Sequence, residues 1–580
     1  MGHDLIRDST VGQIVNYLSN GRLLPYADQR SGYVVPTRFL ASSERKPKEI
    51  GSDAATLCED DGDKRKRASG ATTPATRDLD HVSTVPTLTA TDSLEKQQLQ
   101  LTVKVDDIPD PYLIDWDEDD PDNPRNWSFR KRAFVAFCIS LLTFSIYIGS
   151  AIYTSSIPGL MEEFHVSLTT ATLGLTLYVL AYGLGPMFLT PLQELPLLGR
   201  NPGYMATLFL FVIFQILIFT AKNMSTVLAM RFLTGFFGSP ALATGGASMG
   251  DIFPTSHFPY ALGVWALGAV AGPITGPVIG GFAAQAKGWR WPMLELLWIS
   301  AFSLVFLCIL LPETNGPTIL LRRAKRLRAL TGNPELKTAT ERTEESETVG
   351  ELVYEALVRP FVLAMEPGLM FANVYLGFVY AIFYLWFEAF PLVFSDIYHF
   401  NEGLSGLPFL GFLVSGSITY TIYCFYQKYH IAPRLARAAA ANTEVAPEIR
   451  LEIGLMASIW IPTSILIFGF GSKASIHWIV PVIGAALYLP GIYLIFQSIL
   501  TYITSAYPKY EASVLAGNDL FRSSIASVFP LFGRVFFRNL GLGPASALLA
   551  GLSFLLMGVY ALLLKYGHVL RQRSKYALHT

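Results

Sequence analysis

The chain has 580 residues, 51% of them hydrophobic and only 15% charged, where a soluble domain carries about a quarter charged residues. The 44 Lys and Arg against 45 Asp and Glu give a net charge of −1, which excludes the basic bias of a nucleic-acid binder. P-loop, HExxH and zinc-spaced Cys/His patterns do not occur, so the chain is expected to be no enzyme and to use no cofactor beyond a proton gradient. Four scattered cysteines, Cys58, Cys138, Cys308 and Cys424, form no disulfide framework.

The charges are unevenly spread: 41 of the 89 lie in the first 132 residues and 17 between Pro312 and Pro367, leaving 31 for the rest. Residues 1–132 read as a largely disordered tail. Within it Leu5 to Leu24 predicts an amphipathic helix, with Ile6, Val11, Ile14, Val15 and Leu18 at helical spacing. Residues 41–100, including the basic run Lys64 to Arg67, read as solvated linker. The tail turns acidic at Asp115 to Asp122 before Arg130, Lys131 and Arg132. No signal peptide precedes these residues, so the first apolar span is expected to direct insertion.

Crossing a bilayer takes about 20 apolar residues in a helix, because no backbone amide can stay unpaired there. Twelve such windows follow, near 133–155, 168–192, 204–221, 227–250, 260–284, 292–311, 368–391, 404–427, 451–470, 478–503, 512–533 and 544–564. They predict an all-α membrane protein of two six-helix bundles, 133–311 and 368–565, joined by a central loop, 312–367, and ending in a short tail, 566–580. The even split suggests internal duplication. Lys and Arg concentrate on the loops of the side that holds the termini, including eight in the central loop, so both termini are expected to be cytosolic.

A few residues inside the spans are costly enough to need a reason. Arg231, in span 4, costs at least about 2.5 kcal/mol on insertion scales and is expected to face a polar interior or a partner. Span 5 carries Gly268, Gly272, Pro273, Gly276, Pro277 and Gly280, a flat face for close helix approach with kinks built in. Between spans 2 and 3, Gly185, Glu194, Gly199 and Arg200 could latch two helix ends, and Asp251 at the end of span 4 reads as an anchor. On span 7, Asn373, Gly377, Tyr380, Tyr384, Phe387 and Glu388 share one face, which offers a substrate wall and an acid that could titrate. Asp519 and Arg522 on span 11 stand one turn apart and can pair. Tyr147, Ser150 and Tyr153 on span 1, Phe496 and Gln497 on span 10 and Asn518 on span 11 complete the candidates.

The run GxxxGPxxGPxxGG from Gly268 to Gly281 resembles the antiporter motif of the major facilitator superfamily, and Leu228 to Gly235 resembles its span 4 motif. The span 2–3 loop is similar to the superfamily's loop signature, although Glu194 stands where Asp is usual and Gly199 is more distant. With Asp120 to Trp127, Ser239 to Ala247, Leu311 to Thr314, Phe387 to Pro391 and Ala516 to Ser523, residues 110–575 look like the fungal twelve-span drug:proton antiporters, close to yeast exporters of azoles and benomyl. The resemblance implies export of amphipathic toxic compounds across the plasma membrane in exchange for protons, by rocking of the two halves among membrane lipids, as a monomer. The span 4 motif implies a coupling role for Arg231; the residues themselves add Glu388 or Asp519 as the expected titrating acid, Arg522 beside Asp519, and an expected aromatic wall of Tyr153, Tyr380, Tyr384 and Phe496. In span 1, Tyr153-Thr-Ser-Ser-Ile-Pro158 departs from the usual Tyr-Thr-Pro-Gly. Export of polyamines or another specific metabolite is an alternative, as is a non-transporting sensor that signals through the tail.

Overall fold

A computed structural model describes residues 2–19, 22–30, 32–35, 39, 112–254, 256–344, 350, 354–441 and 445–578. The linker expected at 41–100, with its basic run, lies outside the described residues. Among the described residues, twelve helices are long and apolar enough to cross a membrane. In the first half they are helix 1 (Phe129–Phe164), helix 2 (Leu168–Glu194), helix 3 (Arg200–Phe219), helix 4 (Met224–Ile252), helix 5 (Phe258–Lys287) and helix 6 (Arg290–Leu310). In the second they are helix 7 (Pro367–Ser395), helix 8 (Glu402–Ala440), helix 9 (Pro447–Gly471), helix 10 (Ile479–Ala506), helix 11 (Ser513–Leu540) and helix 12 (Leu542–Arg573). Each lies on a predicted window. Helix 12 runs past the expected end at 565, and the chain then folds back, with the Leu578 amide donating to the Ala506 carbonyl at 2.8 Å.

Local chemistry sets the helix ends. Ser128 caps helix 1 by accepting from the Lys131 amide, and Gly199, at φ +77°, makes the turn into helix 3 that a side chain would resist. Pro367 opens helix 7, where its missing amide costs nothing. Helix 7 is the innermost helix, with nearly all of its side chains from Leu376 to Phe390 buried. Helix 5 packs along helix 1 within the first half, and helix 11 packs along helix 7 within the second.

Two helix pairs make the most extensive contacts between the halves. Helix 2 meets helix 11, where the Thr176 hydroxyl donates to the Ser527 carbonyl at 2.8 Å. Helix 5 meets helix 8, where a Cβ on Gly281 would stand 2.7 Å from the Glu402 carbonyl oxygen.

The tail is more ordered than its composition predicts. In place of one helix over Leu5 to Leu24 there are two, Gly2–Asp8 and Thr10–Leu18. The break falls at Ser9, whose hydroxyl accepts from the Gly12 amide and so caps the second helix. A third helix, Gly316–Thr331, rises from the central segment. Against it fold Phe39 and a short parallel pairing of Leu113–Ile114 with Lys337–Thr338, closing a small core of Phe39, Ile114, Ala324, Leu327 and Leu336. Composition misses this unit because its apolar residues come from three distant segments.

Ion pairs clamp the unit. Arg323 forks onto Asp120 and reaches Asp122 at 3.2 Å, Arg7 reaches Asp122 at 3.4 Å, and Arg326 donates to Asp28 at 2.8 Å while lying over the Tyr26 ring. Burial pushes the Asp120 carboxyl up, but the bonds from Arg323 and two backbone amides outweigh it and hold it below its ordinary value near 3.8. A carboxyl lowered on folding stabilises the folded form above its unfolded pKa and loses that contribution as pH falls through the folded one. The Asp120 contribution is therefore fully present at neutral pH and is lost as pH falls below about 4. Asp120→Asn should reproduce that loss at pH 7, seen as several-fold faster tryptic cleavage at Arg7 and Arg22.

Candidate functional site

Where the halves meet, four phenols from three helices bond to one another. Tyr147 of helix 1 and Tyr380 of helix 7 share a hydrogen bond. Tyr182 of helix 2 bonds Tyr380 at 2.6 Å and Tyr384 at 3.1 Å. Helical spacing explains the grouping, since Tyr380 and Tyr384 lie one turn apart on one face. The rings pack edge to face, Tyr380 on Tyr384 at 5.1 Å and Tyr147 on Tyr182 at 5.7 Å, the arrangement that their quadrupoles favour.

Next to this cluster lies a buried ion pair. Asp519 and Arg522 pair across one turn of helix 11. The Arg522 guanidinium stands over the rings of Tyr380 at 4.8 Å and Phe496 at 5.1 Å. Among the described residues, one carboxylate oxygen of Asp519 and the Nε of Arg522 are buried without a hydrogen-bond partner, so the pair is neutralised but not saturated. Nearby the Asn518 amide donates to the Asn373 side-chain oxygen at 2.8 Å, bringing two predicted substrate contacts together. Gln497 is buried on helix 10 beside Phe496.

Other predicted wall residues sit elsewhere. Tyr153 is fully buried in the first half, donating to the Ala171 carbonyl at 2.7 Å. Phe387 stacks on Phe409 of helix 8 at 5.2 Å, inside the second half. Glu388 is buried against helix 11, where a Cβ on Gly533 would stand 3.3 Å from its own Cβ.

Arg231 is fully buried and bonded to carbonyls, not to a carboxylate. Its Nη1 donates to Gly149 of helix 1 at 2.8 Å and its Nε to Gly174 of helix 2 at 3.1 Å. Its guanidinium lies between the rings of Tyr153 at 4.5 Å and Tyr178 at 4.2 Å, while Nη2 has no partner among the described residues. All these neighbours belong to the first half, so neither Glu388 nor Asp519 of the second half meets Arg231. The residue ties helices 1, 2 and 4 together.

On helix 5 the glycine face lies on the backbone of helix 1. A Cβ on Gly272 would stand 2.8 Å from the Ile148 amide nitrogen, and one on Gly276 would stand 2.7 Å from that of Ile152. Gly268 lies over Ser140 and Gly280 over Ile152. Pro273 and Pro277 fall inside the helix, and the Pro277 carbonyl meets Gly406 of helix 8.

In the loop between helices 2 and 3, Gly185 lies tight against Ser239 of helix 4, and Gly199 lies over the Glu313 carboxylate. Arg200 donates to Asp251 at 2.6 Å, whereas Glu194 is exposed and makes no such bond. Glu313 accepts from the backbone amides of Arg200 at 3.1 Å and of Thr314 and Asn315 at 3.0 Å. The acids that hold this loop thus come from the ends of helices 4 and 6. Asp251 and Glu313 are 51 and 113 residues from Arg200, beyond the reach of local spacing. Tyr178 and Tyr182 lie outside the expected set, although their i, i+4 spacing in span 2 marks one face.

Three substitutions separate these contacts. Gly272→Leu forces helices 1 and 5 apart and should cost at least about 1–3 kcal/mol, lowering the thermal midpoint of the detergent-purified protein. Gly551→Leu, at a helix 12 position with open space around it, should leave the midpoint unchanged. Arg231→Ala removes two charge-assisted bonds and should cost about 3 kcal/mol by the same assay.

A family model described as Major Facilitator Superfamily matches residues 139–530. A transporter of Schizosaccharomyces pombe is 43% identical over 472 residues, covering 80% of this chain and 88% of its own. Fluconazole resistance protein 1 of Saccharomyces cerevisiae is 39% identical over 474 residues, 80% of this chain and 85% of its own. A probable drug/proton antiporter of the same yeast is 33% identical over 491 residues, 84% of this chain and 94% of its own. With the family model spanning most of the twelve-helix body, this multi-pass membrane protein belongs to the major facilitator superfamily.

Proposed function

We propose that the protein is a proton-coupled multidrug exporter of the plasma membrane, with both termini in the cytosol, moving azoles, benzimidazoles and other amphipathic toxic compounds outward as protons move in. The names of its relatives, a fluconazole resistance protein and a probable drug/proton antiporter, support this reading. The observation that carries it is the Asp519–Arg522 pair placed beside the Tyr380 cluster on the seam between the halves.

Asp519 is the coupling acid in this reading. While ionised it neutralises Arg522 and lets the guanidinium rest on the rings of Tyr380 and Phe496. A proton on Asp519 leaves that cation unpaired in a low-dielectric interior, which favours parting of the seam and its hydration. Substrate enters where the rings and the Asn373–Asn518 amides become accessible, held by non-directional burial and a few hydrogen bonds. Transport is directed because proton and substrate bind the two arrangements with different affinity.

Arg231 is a positioning residue, bracing helices 1 and 2 so that Tyr147 and Tyr182 stay aimed at the seam. Gly272, Pro273 and Gly276 supply the close helix 1–helix 5 sliding surface. Arg200, held by Asp251, closes the tail side of the first half.

Inside-out membrane vesicles with an acidic lumen provide the test. Wild-type protein should accumulate a fluorescent azole or a labelled benzimidazole, and collapse of the gradient should abolish this. Asp519→Asn should reduce gradient-driven accumulation at least tenfold, with the protein still in the membrane and still binding the azole. Equal accumulation by Asp519→Asn and wild type would refute the coupling role.

A further inference from the structure

The helix Thr10–Leu18 is amphipathic, but its polar side faces the protein. Asn16 is buried and donates to the Leu24 carbonyl at 3.1 Å, and Gln13 donates to the Tyr26 hydroxyl at 2.5 Å. Thr10 donates to the Asn201 side chain at 2.8 Å, at the start of helix 3. Gly12 lies directly on the Ile6 carbonyl. The apolar side faces out: Ile14 is 53% exposed, Tyr17 83% and Leu18 76%, with Val11 on the same stripe and Leu23 just beyond.

A helix on an aqueous surface would turn the other way, because apolar area left in water costs free energy in proportion to its extent. Its position identifies what covers it. The helix packs on the end of helix 6 and the start of helix 3. The chain just before it joins the end of helix 6, through the Glu313 amide bonding the Asp8 carbonyl at 3.1 Å. Those two helices carry exposed apolar side chains along their outer faces, Phe209 and Leu217 on helix 3, Val305 and Ile309 on helix 6. The outward stripe of Thr10–Leu18 therefore continues a surface that the bilayer already covers.

We propose that Thr10–Leu18 lies in the plane of the lipid headgroup–acyl boundary on the tail side of the membrane, its Val11, Ile14, Tyr17 and Leu18 face inserted in lipid. The segment TVGQIVNYL has no charged residue. Insertion is thus driven by apolar burial and does not depend on anionic lipid. The second helix is in this way a membrane anchor, which sets the clamped unit of tail and central segment at a fixed height beside the first half.

The full-length wild-type protein, reconstituted in phosphatidylcholine vesicles, is labelled with a membrane-dissolved diazirine and digested with trypsin. The peptide 8–22 should carry label comparable to that of helix 6, in peptide 291–322, and roughly tenfold more than the water-facing peptide 329–337. Adding phosphatidylserine should change this less than twofold. Ile14→Asn with Leu18→Asn should lower labelling of 8–22 several-fold and leave 291–322 unchanged. An unlabelled 8–22 beside a labelled 291–322 would overturn the proposal, and so would protection of 8–22 in a dimer seen by native mass spectrometry. Labelling that requires phosphatidylserine would overturn it equally. None of these readouts depends on transport, so the anchor and the exporter reading fail separately.

Discussion

In hydrocarbon, one helix gains nothing from the hydrophobic effect by leaving lipid for another helix, so the fold depends on how closely backbones can approach. The contact of helix 5 with helix 1 is the clearest instance. Gly272 and Gly276 bring the two backbones so near that a methyl group at either position would meet a backbone nitrogen. The same device recurs between the halves, where Gly281 meets the Glu402 carbonyl and Gly183 meets Ser523. Contacts of this kind need closeness and not a particular polar partner. Hydrogen bonds and ion pairs add that choice of partner.

Features carried by local pattern were legible in the sequence. All twelve spans follow from apolar length, and the glycine face of helix 5 follows from a four-residue repeat. The shared face of Tyr380 and Tyr384 and the pairing of Asp519 with Arg522 follow from helical spacing. Features that depend on two distant segments meeting were hidden. Nothing near Arg200 marks Asp251 or Glu313 as its partners, and nothing near Arg231 indicates that it ends on the carbonyls of Gly149 and Gly174. Tyr153 and Phe387 look like wall residues because aromatic character is visible in sequence. Which helix they turn towards is set by packing, and both turn inward within their own halves.

The tail shows the same limit from the other side. Its polarity reads as disorder, yet Phe39, Ile114 and Leu336 are enough to close a small core once Asp120, Asp122 and Asp28 engage Arg323 and Arg326. Acidic residues near 115–122 and basic residues near 322–328 are visible as opposite charge runs. Their complementarity becomes apparent only when the helix Gly316–Thr331 is placed against them. Because the ion pairs connect the tail to the segment that follows helix 6, the clamped unit is fixed to the first half.

The two buried arginines differ in what a proton can do to them. Arg231 is held by backbone carbonyls and aromatic faces, none of which changes charge near neutral pH, so its environment is the same on either side of a pH gradient. Arg522 is held by a carboxylate. Removing one partner of a buried ion pair costs about 3–5 kcal/mol, and at about 1.4 kcal/mol per decade that is roughly two to three and a half orders of magnitude in a conformational equilibrium. Moving a two-state equilibrium from 1:99 to 99:1 takes about 5.5 kcal/mol, so with Asp519 as the proposed coupling acid its protonation alone falls short of a full switch. In that proposal the remainder comes from substrate binding differentially to the opened seam, which is the condition under which neither proton nor drug moves efficiently without the other.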